Sequence, residues 1–224
     1  MKPPHVVGVF AGSTASFPAP PRQARGTSGM EKGAVAGPVA VALAGLDGDE
    51  NAERPADDRE QAICAYPGEH YEWWRTNFSS PRAHFRPGAF GENLCLAGLT
   101  ETDVCIGDVY RVGTVELAVT KPRGPCWKVA VRHGIPELAS IMRQTLRTGW
   151  YLAVLQGGVL QAGDELELVN RGSPAVTVHV AAEAMYLRRD DLDLARHVLA
   201  GRGLAGNWRR VLEARVAGHP EPPL

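Results

Sequence analysis

Residues 121–128 read Lys-Pro-Arg-Gly-Pro-Cys-Trp-Lys, a single thiol set among three cationic side chains. A cysteine acts as nucleophile or metal ligand in its thiolate form, which nearby positive charge favours. Pro125 blocks a helix before the thiol, so Cys126 is expected at the start of a helical turn from Trp127. Amide dipoles there would add to Lys121, Arg123 and Lys128 in favouring thiolate. A soft thiolate among cations suits a soft metal centre that carries an anionic organic ligand. The competing reading is a buried structural cysteine beside solvated charges, and these residues alone leave both open.

Nothing else in the chain concentrates reactive chemistry so tightly. Cys64, Cys95 and Cys105 sit in apolar, strand-like surroundings and read as small core residues. No CxxC pair occurs and no His lies at zinc-finger spacing, which argues against structural zinc. The 224 residues are 44% hydrophobic and 22% charged, with a formal net charge of −1. That balance excludes a general attraction to nucleic acid or anionic membrane, so any attraction for anions is local. The longest apolar stretch, residues 39–46, is far short of the roughly 20 needed to span a bilayer. With no signal-peptide pattern at the start, the expected location is the cytoplasm.

The elements that must hold residues 121–128 are mostly short strands. Residues 5–10, 38–43, 63–66, 92–96, 109–112 and 115–120 combine β-branched or alternating apolar residues with Gly-containing turns. Residues 150–155, 159–160 and 165–169 return to strand later. The Gly107-Asp108 and Gly163-Asp164 pairs look like two copies of one turn. Residues 13–29 read as a Pro/Gly/Ser surface loop and residues 50–61 as an exposed polar loop. Pro67 is expected to open a helix over 68–77 that packs Tyr71 and Trp74. A second helix is expected over 135–147, stopped by Gly149.

This pattern predicts a mainly β fold with helices, a closed β-barrel-like domain rather than a doubly wound sheet. After Ser173-Pro174 the texture changes to three short helices over 179–187, 191–200 and 205–217. Asp190 or Asp191 is the natural N-cap of the second. None is long enough to stand alone in water. They form a small bundle, pack on the β domain, or pack on a second copy in a homodimer. The expected division is residues 1–174 and 175–224.

At residues 122–128 the chain resembles the MOSC domain family, whose PRxPCxK signature matches Pro-Arg-Gly-Pro-Cys-Trp-Lys. Further agreeing segments follow the family's order: residues 45–52, 90–94 with 98–99, 106–108, 149–151 and 163–164. Together they cover roughly residues 5–170. The three-helix end is similar to that of the bacterial branch that reduces 6-hydroxylaminopurine.

The resemblance implies a MOSC-type barrel and a molybdenum cofactor, whose pterin dithiolene and a protein cysteine ligate the metal. Cys126 takes that metal-ligand and catalytic role. The implied reaction reduces an N-hydroxylated small molecule to its amine, independently of pyridoxal phosphate. Electrons come from an external reductase, since the chain shows no flavin, nicotinamide or iron–sulfur motif. Arg123 and Lys128 are the candidate partners of the cofactor phosphate, with Lys32 adding charge and Asn93 an amide. Asp49 is expected to cap a turn rather than touch metal.

One departure stands out. Family members carry His-Gly-Gly where this chain has residues 53–61, Glu-Arg-Pro-Ala-Asp-Asp-Arg-Glu-Gln. A carboxylate-bearing loop reproduces neither a neutral imidazole nor the close approach that glycine permits. Two other readings therefore stand beside the first. One is a sulfur carrier with a persulfide on Cys126; the other is a non-catalytic module that binds a small ligand or partner.

Overall fold

A computed structural model describes residues 2–17, 26–52, 58–78 and 84–223. The β-branched runs pair into one eight-stranded sheet, a three-stranded sheet and a small ribbon. In chain order the first strands are β1 His5–Ala11, β2 Ala15–Phe17, β3 Gly26–Ser28, β4 Gly33–Ala34, β5 Val39–Ala42 and β6 Gly45–Leu46. Then come β7 Ile63–Pro67, helix α1 His70–Asn77, and β8 Leu94–Ala97. Strands β9 Val109–Val112 and β10 Val115–Pro122 lead to helices α2 Trp127–His133 and α3 Leu138–Thr145. Strands β11 Trp150–Gln156, β12 Gly158–Leu160 and β13 Leu166–Asn170 precede helices α4 Val178–Tyr186, α5 Leu192–Ala200 and α6 Gly206–Val216.

The large sheet runs β13-β9-β10-β11-β7-β8-β1-β4, with β7 and β8 its parallel pair. A parallel pair needs a crossover, which α1 and the turns after it supply. The sheet then curls back toward its first edge. Val6 N donates to Asp164 O at 2.9 Å, and Leu166 N donates to Pro4 O at 2.8 Å. His5 and Glu165 form an antiparallel bridge between them. This is the barrel-like closure expected of a MOSC-type fold.

Two buried clusters result. The larger joins barrel residues such as Ile63, Leu117 and Leu152 with Ala181, Val198 and Leu212 of the last three helices. Those helices therefore share their apolar faces with the sheet, which offsets the weakness of short isolated helices. Thr177 and Asp191 cap α4 and α5 by accepting from Val180 N and Leu194 N. The smaller cluster is aromatic, built on Tyr66, Tyr71, Trp74, Phe85 and Phe90, and it seats Val129 of α2 and Met142 of α3. No helix among the described residues is long and apolar enough to cross a membrane.

The paired turns at 107–108 and 163–164 share one geometry. Gly107 and Gly163 both have positive φ, at 81° and 95°. Asp108 accepts from Cys105 N and Asp164 from Gln161 N, each at 2.9 Å.

Three expectations change. Residues 13–29 are not all loop, because β2 and β3 pair as a ribbon; residues 18–25 lie outside the described residues. Pro67 ends β7 instead of opening a helix, so α1 starts at His70. Helix α3 spans only Leu138–Thr145, and it is stopped by Leu146 in the left-handed region (φ 55°), not by Gly149. Gly149 also has positive φ (69°), but its task is to let the chain pass beside the Ala65 carbonyl on entering β11.

Candidate functional site

Strand β10 ends at Pro122, where the Arg123 amide donates to Gly149 O at 2.9 Å and ties the segment to the start of β11. From the other side, Arg143 of α3 donates to Pro125 O at 2.5 Å. Cys126 follows as the N-cap of α2, with extended backbone and a half-buried side chain. The expected helical turn from Trp127 is present. Its buried Val129 fixes α2 against the aromatic cluster, so the thiol sits at a defined place on a rigid support.

Lys32, Asn93, Arg123, Cys126 and Lys128, far apart in sequence, line one cleft. Its free volume is ≈ 100 Å³ for the centre of a water-sized sphere and ≈ 720 Å³ for all non-atom space, open solvent included. A cofactor-sized ligand must therefore occupy the mouth as well as the interior.

Asp49 organises one wall. It forms an ion pair with Lys32, accepts from Asn93 Nδ2 at 2.8 Å, and accepts from Gly12 N at 3.1 Å. Asn93 is committed on its other atoms too. Its Oδ1 accepts from Cys64 N at 3.0 Å and its Nδ2 also donates to Phe10 O at 3.2 Å. Asn93 thus clamps β1, β7 and the 45–49 turn, and a ligand must compete for its amide protons. Lys128 is buried, with Nζ 3.4 Å from Thr27 O in β3.

Arg123 differs from these. It is 6% exposed, and Nη2 donates to Phe90 O at 2.6 Å, while the buried Nη1 has no hydrogen-bond partner among the described residues. Burial works against its charge, but Cys64, Tyr151, Cys126 and Glu92 outweigh that and raise its pKa. A buried, charged donor left unpaired costs on the order of 1–3 kcal/mol or more. The cleft is therefore built around a guanidinium that lacks an acceptor.

Glu92 sets the direction of that guanidinium. Its fully buried carboxylate accepts from Gly88 N at 2.6 Å, Phe90 N at 3.1 Å and the Tyr71 hydroxyl. These bonds fold the turn that presents Phe90 O to Arg123. Burial raises the Glu92 pKa, against the bonds from Tyr71, Gly88 and its own amide and the charge of Arg123.

Sequence reasoning missed two further wall residues. Cys64 and Tyr151 are cross-strand partners on β7 and β11, and both line the cleft. Cys64 is buried as expected, yet it faces a polar site as well as the core. Burial pushes the Cys64 thiol up, with Arg123 only partly opposing, so it is a poor thiolate. Lys121, counted above among the charges around Cys126, lies elsewhere. Its Nζ sits 5.4 Å from the Tyr151 ring centroid and 3.2 Å from Asn207 Oδ1, and burial pulls its pKa down to about 8.

Of the segment that replaces His-Gly-Gly, residues 53–57 lie outside the described residues. Gln61 lines the cleft, and Glu60 turns away to accept from Gly206 N at 2.9 Å, at the start of α6.

The MOSC domain pattern matches residues 40–167. The chain is 36% identical over 189 residues to "Protein YiiM" of Escherichia coli, covering 84% of each. It is 34% identical over 169 residues to a Gibberella moniliformis protein named "Reductase", covering 75% of this chain and 30% of that one. The crystal structure of YiiM from Geobacillus stearothermophilus superposes with a TM-score of 0.79 at 34% identity, over 96% of this chain and 100% of that one.

Proposed function

This chain belongs to the MOSC domain family, and we propose that it is a molybdenum-cofactor-dependent oxidoreductase that reduces N-hydroxylated small molecules. The observation that carries this reading is that Arg123, a buried guanidinium whose Nη1 has no hydrogen-bond partner among the described residues, lines the same cleft as the Cys126 thiol. A phosphorylated pterin with a bound metal asks for those two groups together, an unpaired guanidinium for phosphate and a thiol for the metal.

Cys126 would ligate the metal, and Arg123 with Lys128 would hold the phosphate. Lys32 stays paired with Asp49 and adds its charge to the same wall. Of the two thiols in the cleft, Cys126 is the half-exposed one, whereas burial keeps Cys64 protonated. When bound, the cofactor supplies two-electron chemistry at the N–O bond. The balanced conversion is R–NHOH + 2 H⁺ + 2 e⁻ → R–NH₂ + H₂O, with electrons from an external reductase. The protein's part is placement: the Glu92-anchored turn aims Arg123, and Arg143 fixes the loop before Cys126.

The test is turnover of 6-hydroxylaminopurine under anaerobic conditions, with dithionite as electron donor and protein from a host that makes the cofactor. Formation of 6-aminopurine by the native protein and not by Cys126→Ala supports the reading. No turnover by native protein that contains molybdenum would refute the substrate class.

A further inference from the structure

A second cavity, of ≈ 570 Å³, lies behind the wall of the first. The 30–33 segment separates the two, and Lys32 borders both. The cationic lining comes from Arg86, in the turn before β8, and Arg132, near the end of α2, while the Lys32 ammonium at the shared wall is paired with Asp49. His84 lies beside them, and Glu31 is the one carboxylate among the described residues of this lining. Phe10 and Ala89 give the cavity an apolar floor. Gly88 packs directly against the Phe10 ring, where a Cβ would come within 2.7 Å of it.

Arg132 is held in place by donating to the Met30 carbonyl, and its side chain is partly withdrawn from water. Burial lowers its pKa, with Glu31, Glu92 and Tyr71 opposing and Arg123 adding a smaller push the same way. His133, also in the lining, is drawn down to about 4 by burial and so is neutral at pH 7. Net positive potential in a concave, partly apolar space is the pattern of a small-molecule anion site.

We propose that this cavity binds a compact organic anion, its apolar body on Phe10 and its carboxylate or phosphate at Arg86 and Arg132. The site stands apart from the molybdenum reading, since none of its groups needs Cys126. It is a second ligand site, sharing one wall with the first.

Calorimetric titration of the full chain with benzoate and phenyl phosphate tests it, with benzyl alcohol as the uncharged control. Both anions should bind the native protein, with dissociation constants in about the millimolar range that suits small ligands. Benzyl alcohol should bind at least about tenfold more weakly, because it lacks the charge-assisted hydrogen bonds. Arg86 is exposed and donates no hydrogen bond within the described chain, so Arg86→Glu should fold normally and weaken both anions at least about tenfold. Arg86→Lys should retain part of the binding, and Cys126→Ala should leave it unchanged. Absence of anion binding by native protein, equal binding by Arg86→Glu, equal binding of the alcohol, or loss in Cys126→Ala would each overturn the proposal.

Discussion

Arg123 Nη2 donates to the carbonyl of Phe90 at 2.6 Å, and Nη1 of the same guanidinium is buried without a hydrogen-bond partner among the described residues. That bond fixes the plane of a guanidinium whose side chain lines the cleft. In the proposed reading this guanidinium is the partner of the cofactor phosphate.

Arg123→Gln should therefore weaken retention of the phosphorylated pterin by about 30- to 100-fold, the worth of one or two charge-assisted hydrogen bonds. Arg123→Lys should lose about tenfold, because an ammonium cannot bond Phe90 O and phosphate with the same fork. Pterin content after gel filtration reads both outcomes. Unchanged content in Arg123→Gln would remove Arg123 from the site.

Asp49 and Asn93 should behave as one unit. Asp49→Ala removes the partner of Lys32 and an acceptor for Asn93 and Gly12, for a loss of about 2–3 kcal/mol in urea unfolding. A double-mutant cycle with Asn93→Ala should show coupling of about 1 kcal/mol, and strict additivity would contradict the clamp.

His133 predicts an acid limb of stability. Its pKa is about 4 in the folded chain against 6.5 ordinarily, chiefly from burial, with Arg132 and His84 adding to it. The unfolded chain then holds the proton more tightly, so its contribution is complete above pH 6.5 and is lost as pH falls toward 4. About 2–3 kcal/mol should disappear over that interval. His133→Gln should flatten this part of the profile in urea unfolding, and an unchanged slope would show that another group titrates.

Much of this was legible in residue order. The strands of β9 and β10 announced themselves by β-branched runs, and Asp191 marked the start of α5 through its capping chemistry. The five candidate residues shared one cleft because motif order carries three-dimensional information that periodicity lacks. Other features rest on distant pairing. The bonds between Val6 and Asp164 that curl the sheet join residues with no local signal. Cys64 read as core because its strand is apolar throughout, and only its register opposite Tyr151 places it at the cleft. Leu146 halted α3 in a left-handed conformation that sequence would assign to glycine.

The two thiols provide the most direct test, which is metal analysis of native protein, Cys64→Ala and Cys126→Ala purified from a host that makes the molybdenum cofactor. The account predicts about one molybdenum per chain in native protein and in Cys64→Ala, and none in Cys126→Ala. Molybdenum absent from the native protein, or retained in full by Cys126→Ala, would contradict it.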